Sequence, residues 1–172
     1  MANIFIIAAP SGCGKTSLVK ALIEDSKNLS VSVSHTTRKA RQGEIDGKNY
    51  HFVSKEKFEK MISNQEFVEY AEVFGNMYGT TKKNIKEKLD RNIDIILEID
   101  WQGARQVRQN IFDAVSIFIL PPSKKALLER LTTRGQDNQI TISKRMQNSE
   151  REMSHFNEFS YLIINDQFDS AL

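Results

Sequence analysis

The chain has 172 residues, and its 24 lysines and arginines nearly balance 22 aspartates and glutamates, so bulk charge does not make it a nucleic-acid binder and any basic site must be local. One cysteine excludes an intramolecular disulfide and fits a reducing compartment. The length suggests one domain with a small inserted module; no segment approaches a membrane span and the N-terminal apolar run is too short for a signal, so the expected setting is soluble and cytoplasmic, without nucleic-acid or membrane partners.

The first apolar run, 4–8, is short and nearly continuous rather than alternating, which predicts a strand buried on both faces. A helix follows at 16–24, with Leu18, Ala21 and Leu22 at helical spacing. Runs of the same β-branched kind at 31–34, 93–99, 114–120 and 162–164 predict four more strands. Between them, 82–91 carries Ile85 and Leu89, and 123–131 follows Pro121-Pro122 and turns Ala126, Leu127, Leu128 and Leu131 inward. Strands alternating with helices imply βαβ units and a parallel sheet. Two stretches break this rhythm. Residues 35–78 are polar and aromatic, with short strands expected at 50–53 and 67–73 and a helix capped by Ser54 that ends near Asn64. Residues 132–142, including Arg134 and Gly135, read as a mobile loop between helices.

The chemistry begins directly behind the first strand. Ala9-Pro10-Ser11-Gly12-Cys13-Gly14-Lys15-Thr16-Ser17 ends as a phosphate-binding loop does, with Gly14-Lys15-Thr16, although Ala9 stands where the strict pattern has glycine. Gly12 and Gly14 let the backbone turn its N–H groups toward an anion, and the helix that starts there adds its positive end. Lys15 would span the β- and γ-phosphates of a nucleotide, and the Thr16 hydroxyl would ligate magnesium. An ordinary strand–helix turn with a chance lysine is the plain alternative; the position between a buried strand and an amphipathic helix argues against it. Cys13 reads as a small filler. A second constellation follows at 34–52, where Arg38, Arg41 and the Tyr50 hydroxyl can clamp another phosphate group. Glu98 and Asp100 lie two apart at the end of the strand expected at 93–99, which places them on one face. Beside a phosphate loop, Glu98 reads as a magnesium ligand through water and Asp100 as a base contact.

These residues resemble a known family, guanylate kinase. Ala9 to Thr16 is similar to its bacterial phosphate loop. Ser34-His35-Thr36-Thr37-Arg38 with Arg41, Gly43-Glu44 and Tyr50 resembles its GMP-binding signature. Glu66-Phe67-Val68-Glu69, Gly75-Asn76-Met77-Tyr78-Gly79-Thr80, Ile99-Asp100-Trp101-Gln102-Gly103-Ala104 and Ile164-Asn165-Asp166 resemble further blocks, in order and across essentially the whole chain. The resemblance implies an α/β fold: a P-loop kinase core with a five-stranded parallel sheet flanked by helices, formed by 1–34 and 81–172 with a mobile lid at about 132–145, and a small mixed α/β GMP-binding insertion at 35–80. It implies transfer of the γ-phosphoryl of MgATP to GMP, with Mg2+ as cofactor and dGMP as a further candidate acceptor; a homo-oligomer is left open.

Residue by residue, the resemblance maps the GMP phosphate onto Arg38, Arg41, Tyr50 and Tyr78, with Glu44 beside them, and guanine onto Ser34, Glu69, Thr80 and Asp100. The chemistry agrees, since guanine presents two adjacent donors that one carboxylate can accept together, while hydroxyls can donate to O6. Arg134 and Arg145 match lid arginines that, with Lys15 and Arg38, carry catalysis, and Asn165 matches a position near the adenine ring. His35, His51 and His155 read as structural, and Trp101, Phe67 and Phe74 as packing. The family commonly has aspartate where Glu98 stands and before Tyr161, where this chain has Ser160. The family also continues through a last helix beyond the position of Leu172, so an apolar sheet face is expected to lose cover. A kinase for AMP or UMP is disfavoured by Glu69 with Ser34 and Thr80. A phosphopeptide-binding relative of the fold is disfavoured by the intact Lys15, Thr16, Arg134 and Arg145.

Overall fold

The computed structural model describes residues 2–111, 113–133 and 139–172. In chain order its elements are β1 (Ile4–Ala8), α1 (Lys15–Asp25), β2 (Leu29–Val31), β3 (His35–Thr36), β4 (His51–Phe52), α2 (Lys55–Ser63), β5 (Phe67–Val73), β6 (Asn76–Thr81), α3 (Lys82–Leu89), β7 (Asp94–Glu98), α4 (Trp101–Asn110), β8 (Val115–Leu120), α5 (Lys124–Thr133), α6 (Gln139–Met153), β9 (Tyr161–Ile164) and α7 (Phe168–Ala171). Five strands form a parallel sheet in the order β2-β7-β1-β8-β9, and a four-stranded sheet has the order β4-β3-β6-β5. The continuous apolar runs belong to the first sheet for a physical reason. Ile95, Ile96 and Leu97 are consecutive and all at most 2% exposed, which requires cover on both faces.

The chain divides into two compact units, Met1–Phe5 with Asn28–Ala114 and Ile6–Lys27 with Val115–Leu172. In the first, β2 pairs with β7 in parallel, and the four-stranded sheet packs Phe67 on Phe58 and Met61 of α2. The Phe58 and Phe67 rings stack at 4.5 Å, and a Cβ on Gly79 would lie 2.8 Å from Phe67, so only glycine fits beneath that pair. α2 starts where expected, since Ser54 Oγ accepts from Lys57 N–H. In the second unit β8 and β9 pair in parallel, and Leu127 and Leu131 of α5 are buried.

Several expectations shift. The strand expected at 31–34 is β2, ending at Val31, and the chain resumes extended pairing at His35 in the other sheet. Neither β6, which lacks an apolar alternation, nor α4 is among the expected elements. Leu128 is 45% exposed rather than inward, because it is off the Leu127–Leu131 stripe. Phe74 is 66% exposed at the β5–β6 hairpin tip, with φ 52 beside Gly75 at φ 75, so it does not pack with buried Phe67. Of the loop expected at 132–142, Thr132 and Thr133 end α5 and residues 139–142 open α6, where Arg145 also lies; Arg134 and Gly135 are outside the described residues.

Candidate active site

The phosphate loop connects β1 to α1 within the second unit's sequence. Gly12 has φ 90 and Gly14, the residue before α1, has φ 83, both in the left-handed region where a side chain is strained. α1 has neither a side-chain cap nor an acidic residue in its first turn, whereas α2, α3 and α4 are capped by Ser54, Thr81 and Asp100. Its first N–H groups are therefore available to an anion. Lys15 and Thr16 open the helix, with Lys15 half-buried and Thr16 and Ser17 exposed. Ala9, Ser11 and Gly12 are half-buried and Pro10 is buried.

Cys13 is buried under the loop, and burial pushes its thiol up to about 12, so it is a neutral filler and no nucleophile. Its carbonyl accepts from Asn165 Nδ2 at 2.8 Å. Asn165 is itself held by its own backbone: its N–H donates to the Leu120 carbonyl and its carbonyl accepts from Arg130, both at 2.8 Å. A Cβ on Gly14 would lie 2.5 Å from Asn165 Nδ2. The side chain expected near an adenine ring is thus a brace beneath the phosphate loop. Asn165→Ala should leave a buried carbonyl unpaired, at about 1–3 kcal/mol. A lowered thermal midpoint and a raised KM for ATP, with KM for GMP unchanged, is the expected result; equal changes in both KM values would contradict it. Arg130 also lines a cavity of about 530 Å³ with Pro122, Ala126, Glu129, Thr133 and Asp166. None of these six was given a binding role from sequence, although Asp166 belongs to the block Ile164-Asn165-Asp166 and Pro122 and Ala126 to the expected helix region.

In the first unit, the residues expected to read a base converge. Ser34 Oγ and Thr80 Oγ1 are 3.0 Å apart. Glu69, 3% exposed, pairs with Thr80 across the β5–β6 ladder. Burial raises its carboxyl to about 7, opposed by hydrogen bonds from the Thr80 side chain and backbone and assisted by the charge of Asp100. Asp100 differs from expectation. β7 ends at Glu98, so the two-residue strand spacing does not reach Asp100, which instead caps α4 by accepting from Gly103 N–H and from Gln102 Nε2, both at 2.9 Å.

Of the residues expected to clamp a phosphate, Arg38, Tyr50 and Tyr78 lie together. Arg38 donates two parallel hydrogen bonds to Glu44, at 2.8 and 2.9 Å, and its guanidinium lies over the Tyr50 ring at 5.5 Å. Glu44 also accepts from Arg41 N–H at 2.7 Å, which closes the loop on itself. Glu44 raises the Arg38 pKa, with a further bond to Tyr78, and Arg38 in turn lowers Glu44. Tyr50 and Tyr78 meet edge-to-face at 5.9 Å, and burial raises the Tyr50 hydroxyl, with Tyr78 and Glu98 adding to the rise. Arg41 is exposed. The histidines are elsewhere: burial lowers His35 to about 4, and its ring lies tilted against His51 at 4.6 Å and meets Phe67 edge-on at 6.0 Å. His155 bonds Glu158 at 2.8 Å. Arg145 is half-buried on α6, and Arg134 lies outside the described residues.

Among the described residues no group of three acidic, histidine or cysteine side chains forms a metal cage. Magnesium keeps several waters and takes one or two protein oxygens beside substrate phosphates. The Thr16 hydroxyl and the half-buried Glu98 carboxylate are hard oxygen donors of that kind. No helix among the described residues is long and apolar enough to cross a membrane.

Comparison with known proteins is consistent across three kinds of match. A family model described as guanylate kinase matches residues 1–172. A guanylate kinase of Vibrio vulnificus (strain YJ016) is 56% identical over 172 residues, covering 99% of this chain and 83% of the relative. A guanylate kinase of Saccharophagus degradans is 56% identical over 170 residues with the same coverage. The crystal structure of guanylate kinase from Anaplasma phagocytophilum superposes with a TM-score of 0.81 at 37% identity, covering 99% of this chain and 80% of that one.

Proposed function

The chain belongs to the guanylate kinase family, and we propose that it transfers the γ-phosphoryl of MgATP to GMP through the residues assembled above. The observation that carries the base assignment is the buried Glu69 carboxylate beside the Ser34–Thr80 hydroxyl pair. Guanine N1–H and its 2-amino group donate to Glu69, and the hydroxyls turn from each other to O6. Adenine would set a bare N1 lone pair against the carboxylate, and a site that leaves buried polar groups unpaired rejects the wrong base by about 10⁴ or more.

Arg38, Arg41, Tyr50 and Tyr78 hold the GMP phosphate, and Glu44 keeps the Arg38 fork oriented before it arrives. The acceptor oxygen is already an anion, so no general base is needed. Residues 9–17 cradle the ATP phosphates, Lys15 carries charge to the transferring group, and Arg134 and Arg145 add to it. The cavity beside Arg130 offers an apolar-and-polar slot for the adenine ring. Thr16 and, through water, Glu98 would hold magnesium, which would supply positive charge to the nucleotide phosphates. Functionally, 35–80 serves as the GMP-binding insertion and 1–34 with 81–172 as the nucleotide core, with the lid at about 132–145. Release of ADP should be fast with GMP and slight with AMP, UMP and CMP in a coupled assay. AMP or UMP as the best acceptor would replace this reading, and no turnover with any of them would favour a binding module.

A further inference from the structure

β5 runs along the edge of its sheet, and an edge strand leaves backbone N–H and C=O groups unpaired on its free side. Here side chains of α4 occupy that side. The Gln106 amide accepts from Tyr70 N–H at 3.1 Å and donates to the Tyr70 carbonyl at 2.7 Å, the two bonds a neighbouring strand would make. Asn110 Nδ2 donates to the Val68 carbonyl at 3.1 Å. Gly103, Gln106 and Asn110 fall at i, i+3 and i+7, one stripe of the helix. At the head of the stripe a Cβ on Gly103 would lie 2.5 Å from Glu69 Oε2, so glycine is what lets the helix backbone approach the carboxylate. The two tethered residues, Val68 and Tyr70, flank Glu69.

The register explains why this matters. Phe67 pairs with Thr81 and Glu69 with Thr80, so Val68 is an extra residue, a β-bulge. Residues paired across an antiparallel ladder face the same side, and neighbours along a strand face opposite sides. The bulge therefore puts Phe67 and Glu69 on opposite faces. Phe67 goes to the cluster of Phe58 and Met61, and Glu69 goes with Thr80 toward Ser34. In a regular ladder continued from the Phe67–Thr81 pair, Val68 would pair with Thr80 and Glu69 with Gly79, which would turn the carboxylate to the Phe67 face.

We propose that Gln106 and Asn110 are positioning residues for base selection, which hold the bulge in β5 and so aim Glu69 at the base without touching the nucleotide. The proposal rests on the reading of Glu69 as the guanine acceptor. Gln106→Leu and Asn110→Leu remove each amide at nearly constant volume. Two readouts apply: kcat/KM for GMP and for inosine monophosphate, which lacks the 2-amino group, and the carboxyl titration of Glu69 in the nucleotide-free protein by 13C NMR. The GMP-to-IMP ratio should fall about tenfold or more through KM for GMP, as expected when a contacting group is misplaced by about 1 Å. kcat at saturating GMP and KM for ATP should stay near wild type. Glu69 should titrate closer to the ordinary carboxylate range as water reaches it. Gln106→Glu keeps the acceptor for Tyr70 N–H but sets an anionic oxygen against the Tyr70 carbonyl, so it should lower the GMP-to-IMP ratio as well. If Glu69→Gln lowers the ratio while the α4 variants keep both the wild-type ratio and the wild-type titration, the positioning role is overturned. Equal losses for GMP and IMP in all three variants overturn it too, since that marks general damage. If Glu69→Gln itself keeps the ratio, the guanine reading fails instead, and the titration still decides whether α4 places the carboxylate.

Discussion

Lys15→Ala should abolish most phosphoryl transfer while GMP still binds. The substitution removes the cation at the first turn of α1, where the left-handed Gly12 and Gly14 shape the loop without help from the lysine side chain. The backbone cradle therefore survives, and what is lost is a cation for the negative charge spread over the transferring phosphoryl and developing on its leaving oxygen. Removing one such preorganised electrostatic partner costs about 10²–10³ in kcat. ADP release under saturating ATP and GMP measures the loss, and calorimetric titration with GMP should give the wild-type affinity, because the residues proposed for GMP, Ser34, Glu69, Tyr78, Thr80 and those of the loop at 38–50, do not include Lys15. Turnover near wild type would remove the loop from the chemistry.

Glu69→Gln should damage the reaction and stabilise the protein. The amide keeps the shape but aims a donor at guanine's donors, leaving one unpaired and removing a charge-assisted bond, at about 2–4 kcal/mol in kcat/KM for GMP. KM for ATP should hold, and the preference for GMP over IMP should shrink, since the lost contact is one IMP never fully makes. An unchanged ratio would remove Glu69 from the base pocket. The stability effect has the opposite sign. Burial lifts this carboxyl from 4.5 to about 7 in the folded chain. Between those values the folded state binds more protons than the unfolded state, so stability falls as pH rises through the window. The whole loss is on the order of 3 kcal/mol and is complete above about pH 7. Glutamine has no such titration. Thermal midpoints of mutant and wild type should be close at pH 5 and diverge in the mutant's favour by pH 8. For the same reason GMP binding should expel part of a proton near pH 7, and KM for GMP should fall from pH 6 to pH 8.

How much of this is legible in the sequence depends on the range of the interaction. β1 and the glycines behind it are read directly, because a buried parallel strand needs a continuous apolar run and a phosphate loop needs its residues consecutive. α2 is read from its cap, since Ser54 and Lys57 are local to each other. β6 is not legible, because Asn76 to Thr81 becomes a strand only by pairing with β5 and β3. The bulge at Val68 is invisible for the same reason: register belongs to a pair of strands and not to either alone. Asp100 shows how one residue can carry two local meanings. An acidic residue two beyond Glu98 suits a strand tip, and an acidic residue three before Gly103 suits a helix cap; the cap is what forms. Asn165 and Cys13 are 152 positions apart, and no local pattern could join them.

The buried thiol of Cys13 has a practical corollary. A thiol held at about 12 is almost entirely protonated at neutral pH, and this one is the only cysteine of the chain. The protein is therefore already a cysteine-silent background for maleimide labelling. A single cysteine placed at an exposed position, such as the Phe74 tip or Ile140 at the start of α6, would react alone, without first stripping a native residue.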